Sequence, residues 1–199
     1  MKRRTAILIS GRGSNMTALL AAARDPAYPA EIVLVLSNNP GAAGLATAAA
    51  AGIPTLAIDH RPFKGDRSAH EAAIDAALRA AGAELVCLAG YMRILTPVLV
   101  NAWAGRMLNI HPSLLPAFPG LHTHARALEA GAKAHGCTVH LVTPGMDEGP
   151  ILGQAVVPVL PDDTEDTLAA RVLAEEHRLY PAILAEVARG LLPVPAPLP

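Results

Sequence analysis

Short, largely apolar runs recur through the first half of the chain, at 6–9, 32–36, 55–58 and 85–88, without regular polar–apolar alternation. Such runs fit strands that are covered on both faces by other elements. Alanine-rich stretches at 15–23, 41–51 and 68–81 lie between them, the last two stopped by Gly52 and Gly82, and these read as helices. Strand and helix alternating at this spacing predict right-handed crossovers and a parallel sheet. Beyond Gly90 the rhythm changes. Thr96-Pro97 opens a short helix, 107–110 reads as a fifth strand, and 123–130 is helical. Two more strands, 137–142 and 154–159, flank Thr143-Pro144-Gly145-Met146-Asp147-Glu148-Gly149-Pro150, a turn-rich insert that is long for a hairpin. A long amphipathic helix spans 164–188, with Thr164 and Thr167 at its start and Gly190 as its stop.

The length of 199 residues predicts about one domain, since domains run to roughly 150 residues. Apolar types at 52% and charged types at 17% supply a core and exclude general disorder. Sixteen basic against seventeen acidic residues leave a formal charge of −1, which argues against gripping nucleic acid through a net field. Two phenylalanines, three tyrosines and one tryptophan are too few for a base-stacking platform. Cys87 and Cys137 are the two cysteines, too few for a disulfide framework or a thiolate zinc site, and they fit a reducing cytoplasm. Lys2-Arg3-Arg4 precedes an apolar run far too short for a signal peptide. The uncharged span 32–58 is broken by Ser37-Asn38-Asn39-Pro40-Gly41, Gly52 and Pro54, so no membrane helix is expected.

Three constellations carry candidate chemistry. Ser10-Gly11-Arg12-Gly13-Ser14-Asn15 follows the first strand and opens a helix, a place where inward-turned N–H groups suit a phosphate. Met16 stands where a dinucleotide fingerprint has its third glycine, and Ser37-Asn38-Asn39 where it has its ribose-binding acid, so a simpler phosphate is expected. Asn109 and His111 lie two apart at the end of a strand, hence on one side of it. Side by side, an amide and an imidazole offer an oxyanion donor and a proton carrier, and Pro112 and Pro116 stiffen the chain just beyond them. Asp147, in the turn-rich insert, can reach back to orient the His111 ring. His122 and His124 lack a third ligand at convincing spacing, so they read as rim residues and no metal is expected.

Four ordered segments together resemble the folate-dependent glycinamide ribonucleotide formyltransferases: Ile9-Ser10-Gly11-Arg12-Gly13-Ser14-Asn15, Leu88-Ala89-Gly90-Tyr91-Met92-Arg93-Ile94-Leu95, Asn109-Ile110-His111-Pro112-Ser113-Leu114-Leu115-Pro116, and 136–150 with Met146-Asp147-Glu148-Gly149-Pro150. The resemblance implies the formyltransferase fold. This is an α/β protein with a mostly parallel open twisted sheet, a Rossmann-like N-terminal half, helices on both faces and an antiparallel strand pair near the C-terminus. It implies one domain over 1–190, with a phosphate-binding half at 1–100 and a catalytic and folate-binding half at 101–190; the tail at 191–199, with four prolines in nine residues, lies outside the resemblance. Asn109, His111 and Asp147 match the catalytic trio. Gly13, Ser14, Asn15 and Glu176 match contacts to phosphoribosylglycinamide. Arg67, Met92, Arg93, Ile94, Leu95, Asn109, Thr143, Pro144, Gly145, Met146 and Asp147 match the pocket for 10-formyltetrahydrofolate. The implied partners are these small molecules, with no nucleic acid, membrane or metal, and the chain as monomer or homodimer.

Relatives that share such a domain make different demands. A methionyl-tRNA formyltransferase needs a further tRNA-binding domain and a basic surface. A formyltetrahydrofolate hydrolase needs a regulatory domain and reads His-His-Ser where this chain has His111-Pro112-Ser113. A sugar-nucleotide formyltransferase fits the Ser10–Asn15 loop less well than a phosphate monoester does. Outside these, a dinucleotide oxidoreductase lacks its fingerprint here, and a non-catalytic binding module leaves the trio without a role.

Overall fold

The computed structural model describes residues 1–192, so residues 193–199 of the expected tail lie outside the described residues. Seven strands form one sheet in the order β3-β2-β1-β4-β5-β6-β7. β1 (Arg3–Ile9), β2 (Ala30–Ser37), β3 (Thr55–Ala57), β4 (Leu85–Leu88) and β5 (Met107–His111) are parallel. β6 (Ala134–Leu141) runs antiparallel to β5, and β7 (Ile151–Pro158) antiparallel to β6. The helices are α1 (Ser14–Ala23), α2 (Ala43–Ala50), α3 (Arg67–Ala80), α4 (Pro97–Ala102), α5 (Thr123–Glu129) and α6 (Glu165–Arg189). A single 3₁₀ turn at Arg61–Phe63, with Pro62 near its start, is an addition to the sequence reading.

Residues of each inner strand alternate between two cores. Ile7, Ile9, Val35, Cys87, Leu108, Ile110 and Val139 pack on the face covered by α1 and α6. Ala6, Leu8, Leu34, Leu36, Val86 and Leu88 face Ile74 and Leu78 of α3, Leu99 of α4 and the adjoining Trp103. Both faces are apolar, which is why the strands read as unbroken runs. Each fully buried Leu or Ile contributes about 1.5–3 kcal/mol relative to exposure.

Element positions match the sequence reading, and the differences sit at element ends. β6 starts at Ala134 and β7 at Ile151, because their ladder continues from Ala134 opposite Pro158 to His140 opposite Ile151. Thr164 and Thr167 form a reciprocal cap: the Thr164 hydroxyl accepts from the Thr167 N–H, and the Thr167 hydroxyl accepts from the Thr164 N–H. The start signal for α6 is therefore stronger than its sequence suggests, since Thr replaces the usual Glu or Gln.

After β3 the chain crosses the sheet and lays β4 beside β1. Strand order reverses here, and in open α/β sheets ligands gather outside the carboxyl ends of strands at such a point.

Candidate active site

The first loop opens directly over that reversal. Gly13 adopts φ 70°, a left-handed conformation, as the N-cap of α1, and no side chain caps the helix. The first-turn N–H groups of α1 are thus left to face outward, the arrangement that suits an anion. A cavity of about 290 Å³ lies there, lined by 10–15 on one side and by Ala89, Gly90 and Met92 on the other. At its edge the buried Asn15 amide donates to Glu176 Oε2 of α6 at 2.7 Å, across 161 positions of sequence. Burial raises the Glu176 carboxyl above its usual range, and the Asn15 hydrogen bond opposes the rise. Asn15 Oδ1 is buried without a partner among the described residues.

The second group lies on the α3–α4 face of the sheet, past the cover that those helices provide. Leu108 and Ile110 point to the opposite core, so Asn109 and His111 share this face. The antiparallel register sets His140 opposite Asn109 and Thr138 opposite His111. His140 Nδ1 lies 2.9 Å from the Leu141 carbonyl, which can only accept, so Nδ1 carries the proton. Its Nε2 is then an acceptor, and the Asn109 group 3.2 Å away is the amide NH₂. Burial holds the His140 ring below the usual histidine range, in keeping with this neutral form. One Asn109 N–H is thereby committed and the other remains to donate elsewhere.

His111, 6% exposed, donates from Nε2 to the Phe118 carbonyl at 3.0 Å. Its Nδ1 lies 3.4 Å from Asp147 Oδ2. Both ring nitrogens therefore face oxygen acceptors, which fixes the plane of the ring. Asp147 itself adopts φ 55° and accepts from the Gly120 N–H at 2.9 Å, while its other oxygen stands 3.7 Å from His140 Nε2. The segment after Val142 thus folds back over β5, as expected from the sequence, and the structure brings Asn109, His111 and Asp147 together.

Other expected residues are placed less tightly. Met92 and Ile94 are largely exposed, 66% and 59%, and Met146 stands exposed with Sδ near Gly120. Leu95 packs against the α3–α4 core, and Arg93 is half-buried. Thr143 and Gly145 are half-buried and Pro144 exposed, in the same crossing that carries Asp147. Arg67, first residue of α3, is exposed and makes no side-chain hydrogen bond among the described residues.

Sequence reasoning passed over His140, whose role follows only from the β5–β6 register. Of the two supposed rim histidines, His122 is exposed, but His124 is half-buried and pairs with His135 at 3.2 Å. The place of His135 in β6, where every residue from His135 to Leu141 is buried, carries the ring inside. Phe118, whose carbonyl holds His111, sets its ring edge-on to His135 at 6.0 Å.

Comparison with known proteins agrees with this arrangement. Residues 3–184 match the family model described as formyl transferase. The chain is 51% identical over 191 residues to the trifunctional purine biosynthetic protein adenosine-3 of Drosophila melanogaster, covering 95% of this chain and only 14% of that protein. It is 44% identical over 186 residues to phosphoribosylglycinamide formyltransferase of Escherichia coli (strain K12), covering 94% of this chain and 87% of that one. The crystal structure of phosphoribosylglycinamide formyltransferase from Brucella melitensis superposes with a TM-score of 0.91 at 56% identity, over 98% of this chain and 100% of that one.

Proposed function

The chain belongs to the formyl transferase family, and from that premise we propose that it moves the formyl group of 10-formyltetrahydrofolate onto the amine of N1-(5-phosphoribosyl)glycinamide, a step of purine biosynthesis. The observation that carries this reading is the convergence of Asn109, His111 and Asp147, with Asn109 paired to Leu88 next to the residues that line the first-loop cavity.

In this reading the nucleotide phosphate sits on the N–H groups of Gly13, Ser14 and Asn15, and Glu176 takes a polar group of the same substrate. Folate lies along 92–95 and 143–147, covering the exposed Met92, Ile94 and Met146, with Arg67 at the rim. The amine nitrogen attacks the formyl carbon, and the carbonyl oxygen becomes an oxyanion. The free Asn109 N–H stabilises that oxygen, about 3 kcal/mol for a well-placed donor, and the His111 ring stands beside it on the same face of β5. Asp147 orients the ring through Nδ1. The proton lost by the attacking nitrogen and the proton gained by the departing folate nitrogen pass through the Asp147–His111 pair. As the intermediate collapses, the carbon–nitrogen bond to folate breaks, and tetrahydrofolate leaves. Direct passage between two held reactants removes the entropic cost of their encounter.

The setting we propose is the cytoplasm. Cys87 and Cys137 are free and buried, and burial pushes both thiols up to about 12, which leaves them inert.

The test is to mix the purified protein with both substrates and follow tetrahydrofolate. Wild type turns over, while Asn109→Ala, His111→Ala and Asp147→Ala each lose about 10²–10³ in kcat and stay folded. Folate breakdown without the nucleotide would replace this reading with a hydrolase.

A further inference from the structure

Ser10 stands between the two ligand-facing segments and touches both. Its N–H donates to the Gly90 carbonyl at 3.2 Å, and its Oγ accepts from the Met92 N–H at 2.8 Å. The single hydroxyl proton goes to Asn38 Oδ1 at 2.6 Å. Asn38 is 5% exposed, so packing around its side chain holds the acceptor in place. With its proton committed to a fixed acceptor, the hydroxyl has only lone pairs left for Met92. The first loop and the segment after β4 are therefore clamped by two opposed hydrogen bonds through one residue.

The far end of that segment is clamped as well. Glu71 of α3, 2% exposed, accepts from the Thr96 N–H at 2.7 Å and from the Thr96 hydroxyl at 2.6 Å. Only 92–95 remain between the two clamps. Glu71 is anchored in a helix, whereas Ser10 begins the loop that we have assigned to the phosphate. An anion that orders 11–15 therefore also orders the near end of 92–95, and part of the ordering cost of the second ligand is met by the first.

We propose that Ser10 is a positioning residue that couples occupancy of the nucleotide cavity to that of the folate segment, through its hydrogen bond to the Met92 amide. This rests on the formyl-transfer reading. By linkage the coupling is reciprocal: the nucleotide tightens folate by the same factor as folate tightens the nucleotide.

Glycinamide ribonucleotide and tetrahydrofolate form an unreactive pair, because no formyl group is present. Titration calorimetry then gives tetrahydrofolate affinity with and without saturating nucleotide. Wild type is expected to bind tetrahydrofolate at least about 5-fold tighter when nucleotide is present, and in Ser10→Ala the ratio falls to within about 2-fold of unity. A ratio kept in Ser10→Ala, or absent in wild type that binds both ligands, overturns the coupling and leaves the formyl-transfer reading standing. Wild type that binds neither ligand overturns both. Hydrogen exchange on the wild type needs no variant to fold. Nucleotide alone should slow exchange at the Met92 amide, and unchanged exchange there with the cavity occupied overturns the proposal.

Discussion

A neutral imidazole sets the direction of the Asn109 amide. The Leu141 carbonyl selects the tautomer of His140, and that tautomer selects the face which Asn109 presents. Phenylalanine at 140 cannot accept a hydrogen bond, so His140→Phe should lower kcat about tenfold, or roughly 1.4 kcal/mol. The same change in an Asn109→Ala background should cost far less, because the group it orients is gone. Equal losses in both backgrounds would show that His140 acts otherwise. His135 carries a different consequence. Burial first, and the neighbouring His124 second, push its ring down from 6.5 to about 4. Above pH 6.5 neither folded nor unfolded chain binds this proton. Between about 6.5 and 4 only the unfolded chain does, so stability falls with falling pH by at most about 1.4 kcal/mol per unit from this group. Urea midpoints at pH 7.5 and 5 should therefore differ less in His135→Asn than in wild type, and equal differences would refute the assignment.

At the scale of elements, the alternation of apolar runs with alanine-rich stretches was enough to place β1 to β4 and α1 to α3, while the later elements rested on local signals such as Thr96-Pro97 and Gly190. Both faces of the inner strands are buried, so the runs stood out against their surroundings. Ends were harder. β6 begins at Ala134 because Pro158 opposes it in the ladder, a pairing that local pattern does not carry. Asn109 and His111 were legible as a pair because strand geometry puts alternate residues on one face. His140 was not, because its relation to them depends on antiparallel register. The approach of α2 to the first loop was equally hidden. Gly44 donates its N–H to the Gly11 carbonyl at 3.1 Å, and a Cβ there would lie 2.5 Å from Ile9 Cδ1 and 3.0 Å from the carbonyl oxygens of Gly11 and Arg12. Alanine gains about 1 kcal/mol in helix propensity. Overpacking against backbone that cannot yield costs about 1–3 kcal/mol. Gly44→Ala should therefore lower the urea midpoint and weaken nucleotide binding together, whereas a raised midpoint would mean that the loop gives way freely.

At the scale of the molecule, one sheet carries both proposed ligand stations: the β1–β4 reversal for the nucleotide, and β5 with antiparallel β6 for the reacting groups. A ligand held only by the folded form shifts unfolding, and at one hundred times its Kd it adds about 2.7 kcal/mol. Saturating glycinamide ribonucleotide should raise the Tm by about 5–10 °C, read by calorimetry, and Glu176→Ala should shrink that rise. The hydrogen bond between Asn15 and Glu176 then takes on a meaning of its own. Asn15 at the rim of the first-loop cavity and its carboxylate partner lie 161 positions apart, and until α6 docks across α1 that asparagine has no fixed orientation. A chain interrupted before its last helix would still carry Asn109, His111 and Asp147, but it would lack the carboxylate that pins Asn15 beside the first loop.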